Sequence, residues 1–309
     1  MPIKERYPKD FQEFLLQFKT DDDCWDYLFE MRWPNGFSCT KCKCDKFWIT
    51  GKKLIHCVTC EHQISITSGT IFHGTRKPLL LWFHIIWWVV AQKTGASAYN
   101  LKDFMGFGSY KTAWSWLHKI RRAMVRPNRD KLMGMVEIDE TYIGGKEIGK
   151  GKQGRGAVTK SLVVVATECK GKQIGRVRFR PISEASGDEL LSFIEDNIES
   201  GSTIVTDGWS GYSSLSQSKD YEHVTKIISG SGQEAHELLP HVHMVDSLVK
   251  RWINGTHQGN VSPKHLPYYL DEFAFRFNRK LSKHRGKLFY RLIQQAVSIS
   301  PTPLNELVK

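Results

Sequence analysis

Hydrophobic and polar positions divide the chain into two kinds of pattern. After residue 132, apolar and β-branched runs predict strands at 136–143, 161–167, 174–181, 203–206 and, more weakly, 222–228. The 161–167 run is continuously apolar, as in a central strand. Helical periodicity predicts helices at 188–199 and at about 240–254, 264–279 and 286–297. The order β-β-β-α-β-α-β-α, with extra C-terminal helices, predicts an α/β domain with a mixed sheet.

The N-terminal part has a different pattern. Residues 8–31 predict two short helices, and residues 33–72 predict short strands and turns around cysteines. Helices follow at 79–92, 97–105 and 110–124, with a glycine-containing turn at 106–109 between the last two. This pair is typical of a helix-turn-helix, whose second helix enters the DNA major groove. An ordinary helical hairpin is the alternative.

Four of the seven cysteines have the spacing of metal ligands. Cys39 and Cys42 form one Cys-x2-Cys pair, and Cys57 and Cys60 form another after 14 intervening residues. Two tight turns of this kind can present four thiolates to one structural Zn²⁺, whose binding drives folding of so small a segment. Buried structural thiols are the alternative interpretation. Three nearby side chains are competing ligands, namely Cys44, His56 and His62.

The charge of the chain favours a polyanionic partner. Its 44 Lys+Arg exceed its 32 Asp+Glu, which gives a formal charge of +12. A merely soluble basic protein is the alternative, but the basic residues cluster in the second helix of the pair and in a glycine-rich segment at 144–160. The candidate DNA-binding residues are Lys111, Lys119, Arg121, Arg122, Lys150, Lys152 and Arg155.

The longest apolar run, Leu79–Ala91, has 13 residues, whereas a membrane span needs about 20. The first residues lack the apolar core of a signal peptide. We therefore expect a cytoplasmic protein with reduced thiols.

Two aspartates lie where strands are predicted. Asp139 is in the first strand of the α/β part, and Asp207 directly follows the fourth. Carboxylates are the oxygen ligands that Mg²⁺ and similar ions take in proteins, and two such ions about 4 Å apart support phosphodiester cleavage. Alternation along the strand puts Glu137 on the face of Asp139 and points Glu140 away.

A third group comes from the helix near residue 240. At 100° per residue, His243, Asp246 and Lys250 fall within about 60° of one another. Apolar residues centre on the opposite side, so this polar face is directed either to a site or to solvent.

Several motifs make the chain resemble DDE-class insertion-sequence transposases that have an N-terminal zinc ribbon. The resemblance extends over most of the chain and is specific. Its motifs are FKT at 18–20, RWPNGFSC at 32–39, TSGTIF at 67–72, EIDETYIGG at 137–145, TDGWSGY at 206–212, KRWINGTH at 250–257, SPKHL at 262–266 and YLDEFAFRFNR at 269–279.

The resemblance implies an RNase H-like catalytic domain in which Asp139 and Asp207 are the first two metal-binding acids. The family's third acid is often a glutamate about 35 residues after the second, a position that here holds His243. Asp246, one turn later, is the alternative third ligand, and Lys250 matches a basic position near the site. An imidazole ligand suits Mn²⁺ better than Mg²⁺.

The resemblance divides the chain into N-terminal helices (1–32), a zinc ribbon (33–75), a helical DNA-binding region (76–131) and an RNase H-like catalytic domain (132–300). It implies a prokaryotic, nucleoid-associated enzyme that binds transposon ends, nicks DNA with Mg²⁺ or Mn²⁺ and joins the ends to target DNA. Cutting two ends implies at least a homodimer. The alternatives are a catalytically inactive DNA-binding regulator and, more weakly, a nuclease without strand transfer.

Overall fold

A computed structural model describes residues 5–126, 128–144, 160–227, 235–259 and 261–308. Its helices are α1 (Phe11–Gln17), α2 (Asp21–Arg32), α3 (Leu79–Ala91), α4 (Ala98–Met105), α5 (Tyr110–Arg122), α6 (Gly187–Asn197), α7 (Ala235–Leu238), α8 (Pro240–His257), α9 (Leu266–Phe277), α10 (Arg285–Ala296) and α11 (Leu304–Val308). Its strands are β1 (Phe47–Ile49), β2 (Leu54–Cys57), β3 (Gln63–Ser65), β4 (Met135–Ile143), β5 (Ser161–Lys170), β6 (Gln173–Ile182), β7 (Thr203–Thr206) and β8 (Glu222–Thr225).

The chain forms two compact units. One combines the residues before 128 with those from Leu281 onward, and the other spans 128–280. The predicted catalytic domain extends to residue 300. In the structure, α10 belongs to the first unit because it packs against α2 and α3. The units are defined by packing alone, so the division into four domains stays a prediction.

The core of the first unit is aromatic. Phe14 and Phe18 of the N-terminal helical segment are buried against Phe83 of α3 and Phe289 of α10. Thr20 and Asp23 form a capping box at the start of α2. The described part of the chain contains no helix that is long and apolar enough to cross a membrane.

A small antiparallel sheet, in the order β1-β2-β3, carries the cysteine-rich segment. Arg32 at the end of α2 donates to the carbonyl oxygens of Ser65 and Ile66, at 3.2 and 2.7 Å. These two bonds attach the last strand of the sheet to a helix.

The second unit contains a five-stranded mixed sheet in the order β6-β5-β4-β7-β8. The first three strands are antiparallel, and β4, β7 and β8 run parallel. One face packs on α8 and α9, and the other on α6 and a 3₁₀ helix at Ser210–Gln217. Val163 and Val165 face the first core while Val164 and Ala166 face the second, which explains the continuously apolar β5.

The predicted fold class, a multidomain α+β chain with a small ribbon, helices and a mixed RNase H-like sheet, is confirmed. The differences are local. The connection between β7 and β8 is a 3₁₀ helix, and β8 ends at Thr225, within the predicted 222–228. The helix α8 continues to His257, where Gln258 ends it with a left-handed φ of 52°.

Candidate metal sites

The sheet register brings the two predicted aspartates to the same level. Parallel pairing of β4 with β7 ends at Glu137 opposite Val205, and two residues further along each chain lie Asp139 and Asp207. Neighbouring strands are about 4.8 Å apart. Both acids are half-buried, and the charge of Asp207 acts on Asp139. The two carboxylates therefore share one region at the end of β7.

Asp139 lies in a strongly anionic environment. Burial, together with the negative charges of Asp246, Glu140 and Asp207, raises the pKa of Asp139 to about 8. The backbone N–H of Glu140 donates to Asp139 Oδ1 at 2.9 Å and partly offsets this effect. Grouped carboxylates that destabilise one another in this way are a common feature of cation sites.

A turn after β7 orients Asp207. Its Oδ1 accepts from the backbone N–H of Trp209 at 2.9 Å, and Gly208 between them has a φ of 86°. A Cβ at Gly208 would also lie 2.8 Å from Thr225 Cγ2. The motif at 206–212 thus needs glycine here for its conformation and for its close packing.

The polar face of α8 is directed at Asp139. His243 Nδ1 lies 3.7 Å from Asp139 Oδ2, and Asp246 is 5% exposed. Burial raises the pKa of Asp246 to about 6, while Lys250 and a hydrogen bond from Thr141 oppose the shift. Lys250 is exposed, one turn beyond Asp246. His243 and Asp246 of the predicted polar face are thus directed at Asp139, whereas Lys250 of the same face is exposed to solvent.

The donor set fits a divalent cation. Asp139, His243 and Asp246 each offer a ligand atom, and these atoms lie within 4.8 Å of one another. Asp246 Oδ1 is buried and has no hydrogen-bond partner among the described residues. A buried carboxylate oxygen without a donor is costly, and a cation would satisfy it. Carboxylates with one imidazole suit Mg²⁺ or Mn²⁺.

A half-buried contact between Glu140 and Tyr212 links the two acid-bearing segments. Glu140 points away from α8, as alternation along β4 predicts, and its Oε1 accepts a hydrogen bond from Tyr212 Oη. Tyr212 lies in the 3₁₀ helix that follows the Asp207 turn and is 1% exposed. The motif at 206–212 contains this tyrosine, but no spacing in the sequence identifies a partner 72 residues away.

The predicted zinc ligands form a second, separate group. The sulfurs of Cys39, Cys42, Cys57 and Cys60 lie within 4.8 Å of one another. The Cys39–Cys60 and Cys42–Cys57 sulfur distances are 3.6 and 3.5 Å. A tetrahedral zinc with Zn–S bonds of about 2.3 Å requires sulfurs roughly 3.8 Å apart. The backbone N–H of Cys42 lowers the pKa of the Cys39 thiol to about 6, which favours the thiolate. The four cysteines thus fit Zn²⁺ closely.

The two cysteine turns have the same backbone geometry, which explains why the competing ligands lie outside the group. In each turn the fifth residue has a left-handed φ, 64° at Lys43 and 57° at Glu61. The first cysteine then donates its N–H to the carbonyl of the sixth residue, Cys44 or His62. These residues close the turns. His56 lies on β2 with its ring 4.8 Å from Trp48, also outside the group.

Comparison with known families agrees with this architecture. Residues 131–278 match the model of the ISXO2-like transposase domain. Residues 19–63 match the model of the transposase zinc-ribbon domain. The two matches together span more than half of the chain and contain both candidate metal sites.

The chain contains an ISXO2-like transposase domain and a transposase zinc-ribbon domain.

No curated protein matched this transposase. Among solved structures, a chain of the simian T-cell lymphotropic virus intasome in complex with PP2A regulatory subunit B56 gamma is 15% identical, covers 62% of this chain and 74% of its own, and has a TM-score of 0.33. A chain of a pre-cleavage Mos1 transpososome is 10% identical, with 70% and 75% covered and a TM-score of 0.30.

The predicted DNA-binding residues of the transposase are in different environments. Lys111 and Arg122 of α5 are exposed, and Lys119 is half-buried. Arg121 is 2% exposed and donates to the Ala96 carbonyl oxygen at 2.8 Å. This burial contradicts the predicted DNA contact of Arg121, because the guanidinium holds the chain before α4 in place. Lys150, Lys152 and Arg155 lie outside the described residues.

Proposed function

We propose that this transposase binds the ends of its own element, cleaves DNA there with a divalent cation and transfers the ends to target DNA. One observation supports it most strongly. Asp139 lies within β4, Asp207 directly follows the neighbouring parallel strand β7, and the helix face that carries His243 and Asp246 lies against Asp139. This arrangement lies within the segment that matches a transposase domain.

The side chains have separable roles in this proposal. Asp139 and Asp207 hold the catalytic cation or cations, and His243 or Asp246 completes the site. A bound divalent cation neutralises phosphate charge and makes water or a 3′-hydroxyl a better nucleophile. Lys250, exposed beside Asp246, contacts a phosphate oxygen of the DNA. Tyr212 and Glu140 keep the Asp207 turn close to β4.

The ribbon and the helical region supply the DNA-binding function in the same proposal. Four cysteines bind a structural Zn²⁺, and Lys111, Lys119 and Arg122 contact phosphates from α5. Lys150, Lys152 and Arg155 of the segment 144–160 are further candidates for phosphate contacts in this proposal. Because two element ends have to be cut and joined, we propose a homodimer or larger assembly on DNA, acting at the nucleoid in the cytoplasm of a prokaryote.

A reconstituted reaction tests the proposal. Supercoiled plasmid carrying the DNA that flanks the gene on both sides is incubated with the protein and Mg²⁺ or Mn²⁺. We expect nicks at the element ends followed by joined products, and neither with Asp139→Asn or Asp207→Asn. Asp188→Asn is the matched control, since it removes one exposed carboxylate from α6 of the same unit.

Two other outcomes would each support another function. Specific binding of the flanking DNA, without nicking in either metal, would support a catalytically inactive regulator. The sequence argument for that alternative is that position 243 holds histidine instead of glutamate. Nicks without joined products would support a nuclease.

A further inference from the structure

Glu137 is a buried carboxylate close to the candidate catalytic site. It lies two residues before Asp139, on the same face of β4, and is 3% exposed. Both of its oxygens are used by a single short segment at the start of α8. It therefore connects the strand that carries Asp139 with the helix that carries His243 and Asp246.

The N-terminus of α8 lacks a cap of its own. Leu239 is at the N-cap position and Pro240 is the first helical residue, so no local side chain accepts from the next N–H groups. Glu137 Oε2 accepts from the backbone N–H groups of His241 and Val242 at 2.8 and 2.9 Å. A carboxylate at this end also complements the helix dipole. The cap of α8 thus comes from a residue 104 positions earlier in the chain.

The side chain of His241 forms a second arm of the same anchor. Its Nδ1 lies 2.7 Å from Glu137 Oε1, and its Nε2 lies 2.9 Å from the carbonyl oxygen of Gly171 in the turn after β5. The first turn of α8 is therefore fixed to two neighbouring strands of the sheet. Rotation or sliding of the helix along β4 would break these bonds.

We propose that Glu137 is a positioning residue that sets the spacing between Asp139 and the ligands on α8. His243 follows the anchored residue Val242 directly, and Asp246 follows one turn later. A shift of α8 by one residue would move both ligands by about 1.5 Å and rotate them by about 100°. The inference rests on the proposed function because it concerns the cation site of that function.

A metal-binding role for Glu137 itself is the competing explanation. Glu137, Cys169 and His241 have ligand atoms within 4.8 Å of one another. However, a cation there would compete with the two backbone N–H groups that donate to Glu137 Oε2 and with the imidazole contact at Oε1. The hydrogen bonds therefore favour the anchor over a metal site.

Three glutamate variants test the anchor in the full-length, zinc-loaded protein. Glu137→Ala removes the cap and the His241 contact. Glu137→Gln keeps an oxygen that can accept from the backbone of α8. Glu168→Gln is the matched control, because Glu168 is 1% exposed and accepts from the backbone N–H of Met133 at 3.1 Å, away from α8.

Binding of Mn²⁺ alone, measured by electron paramagnetic resonance, is the decisive readout, with thermal unfolding recorded in parallel. We expect Glu137→Ala to weaken Mn²⁺ binding by roughly 10–100-fold, the range found when groups that orient metal ligands are removed. Glu137→Gln should recover part of the loss. Glu168→Gln should lower the melting temperature and leave the Mn²⁺ affinity unchanged.

Equal Mn²⁺ affinities for wild type and Glu137→Ala would overturn the proposal, whatever the melting temperatures. If Glu137→Ala does not fold, the comparison of Glu137→Gln with Glu168→Gln decides: equal Mn²⁺ affinities for these two overturn the anchor, and weaker binding by Glu137→Gln supports it. Wild-type Mn²⁺ binding that persists in Asp139→Asn would instead overturn the proposed function. The two failures are therefore distinguishable.

Discussion

The two candidate metal sites of this transposase are built in opposite ways. The zinc ribbon takes all its ligands from 22 consecutive residues on two similar turns, and its donors are four soft thiolates. The candidate carboxylate site groups Asp139 of β4 with His243 and Asp246 of α8, and the proposal adds Asp207 from the end of β7, so its donors would be hard oxygens with one imidazole. The first site depends on local turns, whereas the second depends on the register of a whole sheet.

The largest effect should come from removing zinc. Cys57→Ser should abolish zinc binding and unfold the ribbon, since structural zinc contributes about 10–16 kcal/mol in peptides of this kind. The five-stranded sheet should remain protected in hydrogen exchange followed by mass spectrometry. Cys44→Ser is the control, because Cys44 closes a turn and lies outside the four-sulfur group. Equal loss of zinc in both variants would contradict the assignment.

The carboxylate site should make the free energy of unfolding depend on pH, independently of the zinc ribbon. Because the pKa of Asp139 is raised to about 8 from 3.8, the folded state keeps a proton that the unfolded chain releases between these values. Without added divalent cations, stability should therefore fall as pH rises from about 4 to about 8, by an amount on the order of a few kcal/mol.

Asp139→Asn should flatten this dependence, and Asp188→Asn should leave it intact. Urea unfolding at pH 5 and pH 8, with the ribbon zinc-loaded, measures both. If Asp139→Asn kept the full wild-type slope, the carboxylates would not be destabilising one another.

The link between the two acid-bearing segments should contribute a smaller amount. Tyr212→Phe removes the buried hydroxyl that donates to Oε1 of the half-buried Glu140 carboxylate. Such bonds to charged groups contribute about 1.5–3 kcal/mol, so thermal unfolding should detect the loss. Tyr221→Phe is the control, since Tyr221 donates only a long 3.4 Å bond to the Ile198 carbonyl oxygen. Equal destabilisation by the two variants would rule out a special role for Tyr212.

The smallest expected effect comes from replacing the softest donor of the carboxylate site, the His243 imidazole, and concerns the preference between Mn²⁺ and Mg²⁺. His243→Glu would make the candidate site all-carboxylate and should lower the Mn²⁺-to-Mg²⁺ affinity ratio by roughly tenfold. Met244→Glu is the control, because Met244 is an exposed neighbour and gains the same charge. Competition titrations measure the ratio. A similar change in both variants would exclude His243 as a ligand and favour Asp246.

The contrast between the sites also explains what the sequence could predict. Cysteine spacing identifies the ribbon ligands because all the geometry is local. The strands of the second unit, the shared face of Glu137 and Asp139, and the polar face of α8 follow from periodicity. The cap that Glu137 supplies to α8 and the contact between Glu140 and Tyr212 do not, because each joins residues that only the tertiary fold brings together. Arg121 is a case in which the sequence pattern misleads. It is a basic residue on an amphipathic helix, which suggests a DNA contact, yet its side chain is buried.

One measurement tests the central claim most directly: anomalous diffraction from crystals of the zinc-loaded protein soaked in Mn²⁺. We predict a manganese peak bonded to oxygens of both Asp139 and Asp207, with a further ligand from His243 or Asp246. A peak bonded to Asp139 while Asp207 stays out of reach, or no manganese between β4 and the end of β7, would contradict the account.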